Sequence, residues 1–141
     1  MAVQYVATWA DGHHYDLGSP GDVASLLTSL QRRQKPVVVT LKIRGDAAGL
    51  CVGRGLHLGV GHQRRGFAFP IGQPSAGYAV HRDVWPWARD ISFDFDGTQT
   101  TFHPNETRIT PEHVSALALS YLATGQPTEA VSWGCPPARL W

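Results

Sequence analysis

Two hydrophobic rhythms run along this chain, one repeating every second residue and one repeating at helical spacing. Residues 3–9, VQYVATW, and 13–17, HHYDL, carry the first, and Asp11-Gly12 between them signals a tight hairpin. The second rhythm follows at once: Val23, Leu26, Leu27 and Leu30 recur at i, i+3, i+4 and i+7, behind Ser19 at an N-cap and Pro20 at the first helical position, which predicts a helix over 20–32. PVVVTLKI, 36–43, has the β-branched run of a strand buried on at least one face. LCVG and LHLGVGH flank Gly53-Arg54-Gly55 as a second hairpin, and GFAFPIG reads as a further strand. Residues 72–90 are the least regular, with early glycine and proline and then Trp-Pro-Trp.

Pattern returns in ISFDFDGTQTTFHP, where Ile91, Phe93 and Phe95 share one face, Ser92, Asp94 and Asp96 the other, and Asp96-Gly97 leads a turn. The last helix is bounded on both sides. Thr110 caps it, Pro111 opens it, Val114, Leu117, Ala118, Tyr121 and Leu122 form its stripe, and Gly125 suits the left-handed position that ends it, with Pro127 beyond. A short strand then runs to Trp133. Strands, helix, strands, helix and strand in that order predict an α+β fold: an antiparallel-rich sheet of about six or seven strands with two helices packed on one face. One domain is expected over 1–133, with 134–141 as a surface tail.

Composition narrows the class. With 43% hydrophobic and 16% charged residues in 141, the chain is globular and long enough to bury a core. No apolar run reaches the roughly 20 residues of a membrane span, and the first residues lack the basic start and apolar block of a signal peptide, so a cytoplasmic protein is expected. Cys51 and Cys135 belong to no CxxC pair and read as free thiols.

The net charge of +1 conceals an uneven distribution. Residues 31–66 hold eight Lys or Arg against one Asp, whereas 78–106 hold two Arg against four Asp and one Glu. The basic block suggests phosphate binding, but it contains no Phe, Trp or Tyr on which bases would stack, and a solvated face is the plainer reading. GLCVGRGLHLGVG fails as a phosphate loop, because the glycine after Gly53 and Gly55 is Gly59, one place late, and no helix begins there.

Seven histidines raise the question of a metal. His13 and His14 point to opposite strand faces, as do His57 and His62, and no pair has helical i, i+4 spacing, so neither a metal nor another cofactor is expected. His113, in the first turn of the last helix, reads as solvated. Cys51 sits in an apolar strand and no GxSxG motif exists; Asp94 and Asp96 share a strand face that could host acid–base work, though such a pair is more often the solvent face of an edge strand or part of a recognition surface. VWPWARD, 84–90, has the composition of an interface hot spot, with two tryptophans beside a proline between Asp83 and Asp90. The alternative is that these tryptophans cover the sheet's edge.

An aromatic strand with Phe93 and Phe95, the turn at Gly97, then Thr101, Phe102 and Pro104, a helix ending in Leu122, Thr124, Gly125 and Pro127, and a last strand to Trp133 appear in order. This succession resembles the first-numbered immunity protein family of bacterial polymorphic toxin systems, often encoded beside deaminase-type toxins. His103 departs from it, standing where the family usually has a proline. The resemblance covers most of residues 3–133, apart from 72–90, and gives Trp133, Gly125 and Thr110 structural roles, with Trp133 closing the sheet under the last helix.

The resemblance implies a non-enzymatic protein, monomeric when free, that binds a cognate toxin C-terminal domain of deaminase or nuclease type and covers its active site. It implies no direct nucleic-acid or membrane contact. The contact surface is expected to comprise Tyr78, Asp83, Trp85, Trp87, Asp90, Asp94 and Asp96, carboxylates mimicking phosphate and tryptophans anchoring, with the basic block facing away. A nucleic-acid-binding module using 31–66 and a small hydrolase using Asp94 and Asp96 are the competing classes.

Overall fold

The computed structural model describes residues 4–10, 12–44, 55–71, 77–124, 128 and 130–134. Expectations resting on Asp11, Cys51, the LCVG strand, Gly53, Arg54, Gly125, Pro127, Cys135 and the tail lie outside these residues.

β1 (Gln4–Trp9) and β2 (His13–Leu17) pair antiparallel, from Tyr5 opposite Leu17 to Trp9 opposite His13. Helix α1 (Pro20–Arg32) opens as its sequence dictates: the Asp22 N–H donates to the Ser19 hydroxyl at 3.2 Å, satisfying one of the free donors of the first turn. Val23, Leu27 and Leu30 point into the core. The side chain of Gln31 ties the helix end to the sheet, donating to the His62 carbonyl at 2.7 Å and accepting from the Gly61 N–H at 2.8 Å.

β3 (Val37–Arg44), β4 (Gly55–Val60) and β5 (Phe67–Ile71) follow as antiparallel neighbours, so the strands run β2-β1-β3-β4-β5. β7 (Ile91–Phe95) and β8 (Thr98–Phe102) form a hairpin that completes a seven-stranded sheet. β1 ends opposite Val39, and β7 joins β3 beyond that point in parallel, with Val37 opposite Asp94 and the Asp94 N–H donating to the Pro36 carbonyl at 3.0 Å. The hairpin turns through Asp96 and Gly97, both at positive φ (56° and 87°), the geometry that Asp-Gly favours.

Helix α2 (Pro111–Thr124) is capped at Thr110, whose hydroxyl accepts the His113 N–H at 3.3 Å while the Thr110 N–H donates to His113 Nδ1 at 3.1 Å. A 3-10 turn at Pro104–Glu106 precedes it, and the unexpected His103 caps that turn: its Nδ1 accepts the Asn105 N–H at 3.1 Å and its own N–H donates to the Glu106 carboxylate at 2.8 Å.

The fold is α+β, with two helices and a large antiparallel sheet. One face of the sheet meets Val23, Leu27 and Leu30 of α1 and Val114, Leu117, Ala118 and Tyr121 of α2 through Val37, Val39, Leu41, Leu56, Leu58 and Val60. The other face carries a separate cluster of Val38, Phe67, Ile91, Phe93 and Phe102, flanked by Tyr78, Trp87 and Phe95. Phe67 lies across Gly59 so closely that a Cβ there would stand 2.3 Å from its ring, which is why this strand position holds glycine.

Trp133 departs from expectation. β9 (Ser132–Trp133) pairs with β6 (Ala79–Val80) in a separate two-stranded ribbon, not with the large sheet, because β6 offers the free edge beside it. The ring is half-buried against the helix-side core, and its Nε1–H donates to the Thr128 carbonyl at 2.6 Å.

Candidate functional site

Residues 81–90 join β6 to β7 across the end of the sheet, and polar tethers hold them in place. The Val84 N–H donates to the His81 carbonyl at 3.0 Å and the His81 N–H to the Arg108 carbonyl at 3.1 Å. Arg108 reaches back through Nε–H to the Val84 carbonyl at 2.8 Å. Arg65 donates through one terminal nitrogen to the carbonyls of Trp85 and Thr107, and its guanidinium lies 4.9 Å from the centre of the Trp87 ring. His62 meets the same ring edge-on at 5.6 Å. Two arginines therefore bind successive carbonyls of one loop while Val84 turns inward.

Trp85 is consequently held outside, 78% exposed, against 53% for Tyr15, the other large exposed hydrophobic among the described residues. A tryptophan left in water loses the apolar area it would bury, and Pro86 after it restricts the backbone further.

The seven residues expected at the contact surface stand on the 81–90 loop, the β7–β8 hairpin and the aromatic cluster. Trp87 and Asp90 line an open depression with Pro36, His62, Arg89, Ile91 and Ser92. Trp85 stands on the same loop, and Asp83 is exposed at its start with its N–H donating to His81 Nδ1 at 3.2 Å. Asp94 and Asp96 lie at the far end of β7, which at about 3.3 Å per residue spans roughly 16 Å. The Asp94 carboxylate accepts the Gly97 N–H at 2.8 Å and shapes the turn, while Asp96 is exposed at the tip. Tyr78 sits in the aromatic cluster, stacked on Phe69 at 5.0 Å and edge-on to Phe67 at 5.8 Å.

One member of the basic block, Arg65, does not face away but belongs to the loop's own support. Sequence offered no signal for this, since Arg65 and Arg108 reach the loop across 20 and 24 positions. His113 is not simply solvated but stacks on His81 at 4.4 Å, 13° from parallel, linking the start of α2 to the loop. His62, His81, His103 and His113 each accept a backbone N–H at Nδ1, which puts the proton of the neutral ring on Nε2. Burial, with Arg65 adding to it, holds His62 below the ordinary histidine value, and burial with His81 nearby does the same to His113 against an opposing pull from Glu112. Burial and the neighbouring Arg108 lower the Arg65 guanidinium from its ordinary value, marking two like charges close together.

Asp94 serves the hairpin turn, and among the described residues no three His, Cys, Asp or Glu side chains gather closely enough to hold a metal ion.

A profile of the family described as Immunity protein Imm1 matches residues 11–134. No curated protein sequence and no solved structure matches the chain.

Proposed function

The chain belongs to the Imm1 immunity protein family, and from that premise we propose that it neutralises a cognate bacterial toxin by binding the toxin's C-terminal domain through the loop at residues 81–90. The observation that carries the loop assignment is Trp85, 78% exposed on a segment whose carbonyls are held by Arg65 and Arg108. Trp87 contributes its accessible edge, and Asp83 and Asp90 form the polar rim that excludes water around an anchor. Tyr78 supports the site from the aromatic cluster below it.

The toxin is of the deaminase type acting on nucleic acid, and binding covers its active site. A groove built for phosphates is basic, and the hairpin tip bearing Asp96 beside Asp94 is the acidic projection that fits it. The protein acts as a monomer without cofactor or catalysis, in the cytoplasm; no helix among the described residues is long and apolar enough to cross a membrane.

Co-expression with the C-terminal domain encoded by the neighbouring gene tests this. The two should purify as a stable complex with the toxin inactive, and a toxin domain that stays free and active beside a folded immunity protein overturns the proposal.

A further inference from the structure

Sequence alone makes 78–106 look acidic, but the folded surroundings of Trp85 are not. Four guanidinium groups lie in the loop or touch it: Arg82 and Arg89 within it, Arg65 on the Trp85 carbonyl and Arg108 on the Val84 carbonyl. Only two carboxylates stand among them, Asp83 and Asp90. Among the described residues none of the four arginines forms an ion pair with a carboxylate; the close approaches found are of histidine to carboxylate, His14 to Asp16 at 3.6 Å and His81 to Asp83 at 3.9 Å. Asp83, Arg82 and Arg89 are all exposed. The anchor tryptophan sits in a positive field, and the acidic tip of the hairpin is a five-residue strand away.

We infer that the toxin surface receiving Trp85 is an apolar pocket rimmed by carboxylates, so that the two ends of β7 meet oppositely charged regions of one partner. The inference rests on the toxin-binding reading above and names the chemistry of the partner at that site. Positive charge around an anchor speeds encounter with an acidic rim and repels a basic groove, so the loop docks beside the substrate groove while the hairpin tip faces it. A single-stranded nucleic acid is the other occupant that arginine and tryptophan together suit. The protein reading is favoured because Trp87 is already covered by Arg65 and His62, which leaves Trp85 as the one free aromatic face of the loop, whereas single-strand binding stacks successive bases on several.

Stopped-flow association with the neighbour-encoded toxin domain, at about 50 mM and about 500 mM salt, is the test. A double variant, Arg82→Glu with Arg89→Glu, should associate roughly tenfold more slowly at low salt, with the difference shrinking at high salt and dissociation little changed. Asp83→Asn with Asp90→Asn should associate faster than the parent. Both pairs are exposed, and circular dichroism checks that each variant folds. If the arginine reversal binds as fast as the parent or faster, the acidic rim is refuted while toxin binding stands. Micromolar binding of a fluorescein-labelled oligothymidylate of about 15 nucleotides, abolished by the same reversal, assigns the loop to nucleic acid and also overturns the inference. If the parent forms no complex with the toxin domain, the toxin-binding reading itself fails and takes this inference with it.

Discussion

The two faces of the large sheet are covered by different means. On one face, two amphipathic helices lay periodic stripes over β3 and β4, and the contact is apolar almost throughout. On the other, cover comes from the β7–β8 hairpin, whose Ile91, Phe93 and Phe102 meet Val38 and Phe67, and from a loop secured by arginines on carbonyls. A helix stripe buries what it carries. A tethered loop keeps its shape without burying every side chain, which is how Trp85 stays outside at little cost to the fold. Stability should therefore depend on both faces, and binding on only one.

Phe67→Ala would break this comparison most severely. The ring is fully buried across Gly59 between Phe93 and Phe102, so its loss should cost about 3–5 kcal/mol, as much as a core truncation beneath the helices. A urea midpoint showing less than about 1 kcal/mol would mean the second face is not packed. Trp133→Ala should cost less, about 2 kcal/mol, because the ring is half-buried and gives up one hydrogen bond to Thr128. A protein that melts like the parent would remove Trp133 from the structural set.

Acid should act more strongly on the loop side. Burial and then Lys42 lower His57, burial and then Arg65 lower His62, and burial and then His81 lower His113. Because each folded value lies below the unfolded 6.5, the unfolded chain binds more protons just below that pH. The stability these groups contribute is whole above pH 6.5 and declines as pH falls toward the folded values. Denaturation curves between pH 7.5 and about 5 should show that decline, reduced in His62→Gln with His113→Gln; stability rising toward acid would contradict it. The smallest expected change is in Trp85→Ala, whose melting should match the parent within about 0.5 kcal/mol because the side chain is 78% exposed.

Legibility in the sequence followed the same division. Helix α1 with its Ser19 cap, helix α2 with Thr110, the β7–β8 hairpin and the buried Ile91 and Phe93 were all readable, because periodicity, caps and Asp-Gly turns are local signals. The pairing of Trp133 with Ala79 was not, since it joins a strand to a segment more than fifty positions earlier that carries no strand pattern. In the candidate site the tryptophans stood out by composition. Their support did not, because a guanidinium bound to a carbonyl leaves no periodic mark in the sequence. In the fold His62 shapes the turn that carries Arg65, its Nδ1 accepting the N–H groups two and three residues on at 3.1 and 3.0 Å.

The claim that joins fold to function is that Trp85 anchors the toxin. Titration calorimetry of the neighbour-encoded toxin domain against the parent and Trp85→Ala measures it directly, since the variant is expected to fold unchanged. Anchoring predicts a loss of at least about 2 kcal/mol, roughly a thirtyfold rise in Kd. A variant that binds within about twofold of the parent would contradict it and move the interface off the loop.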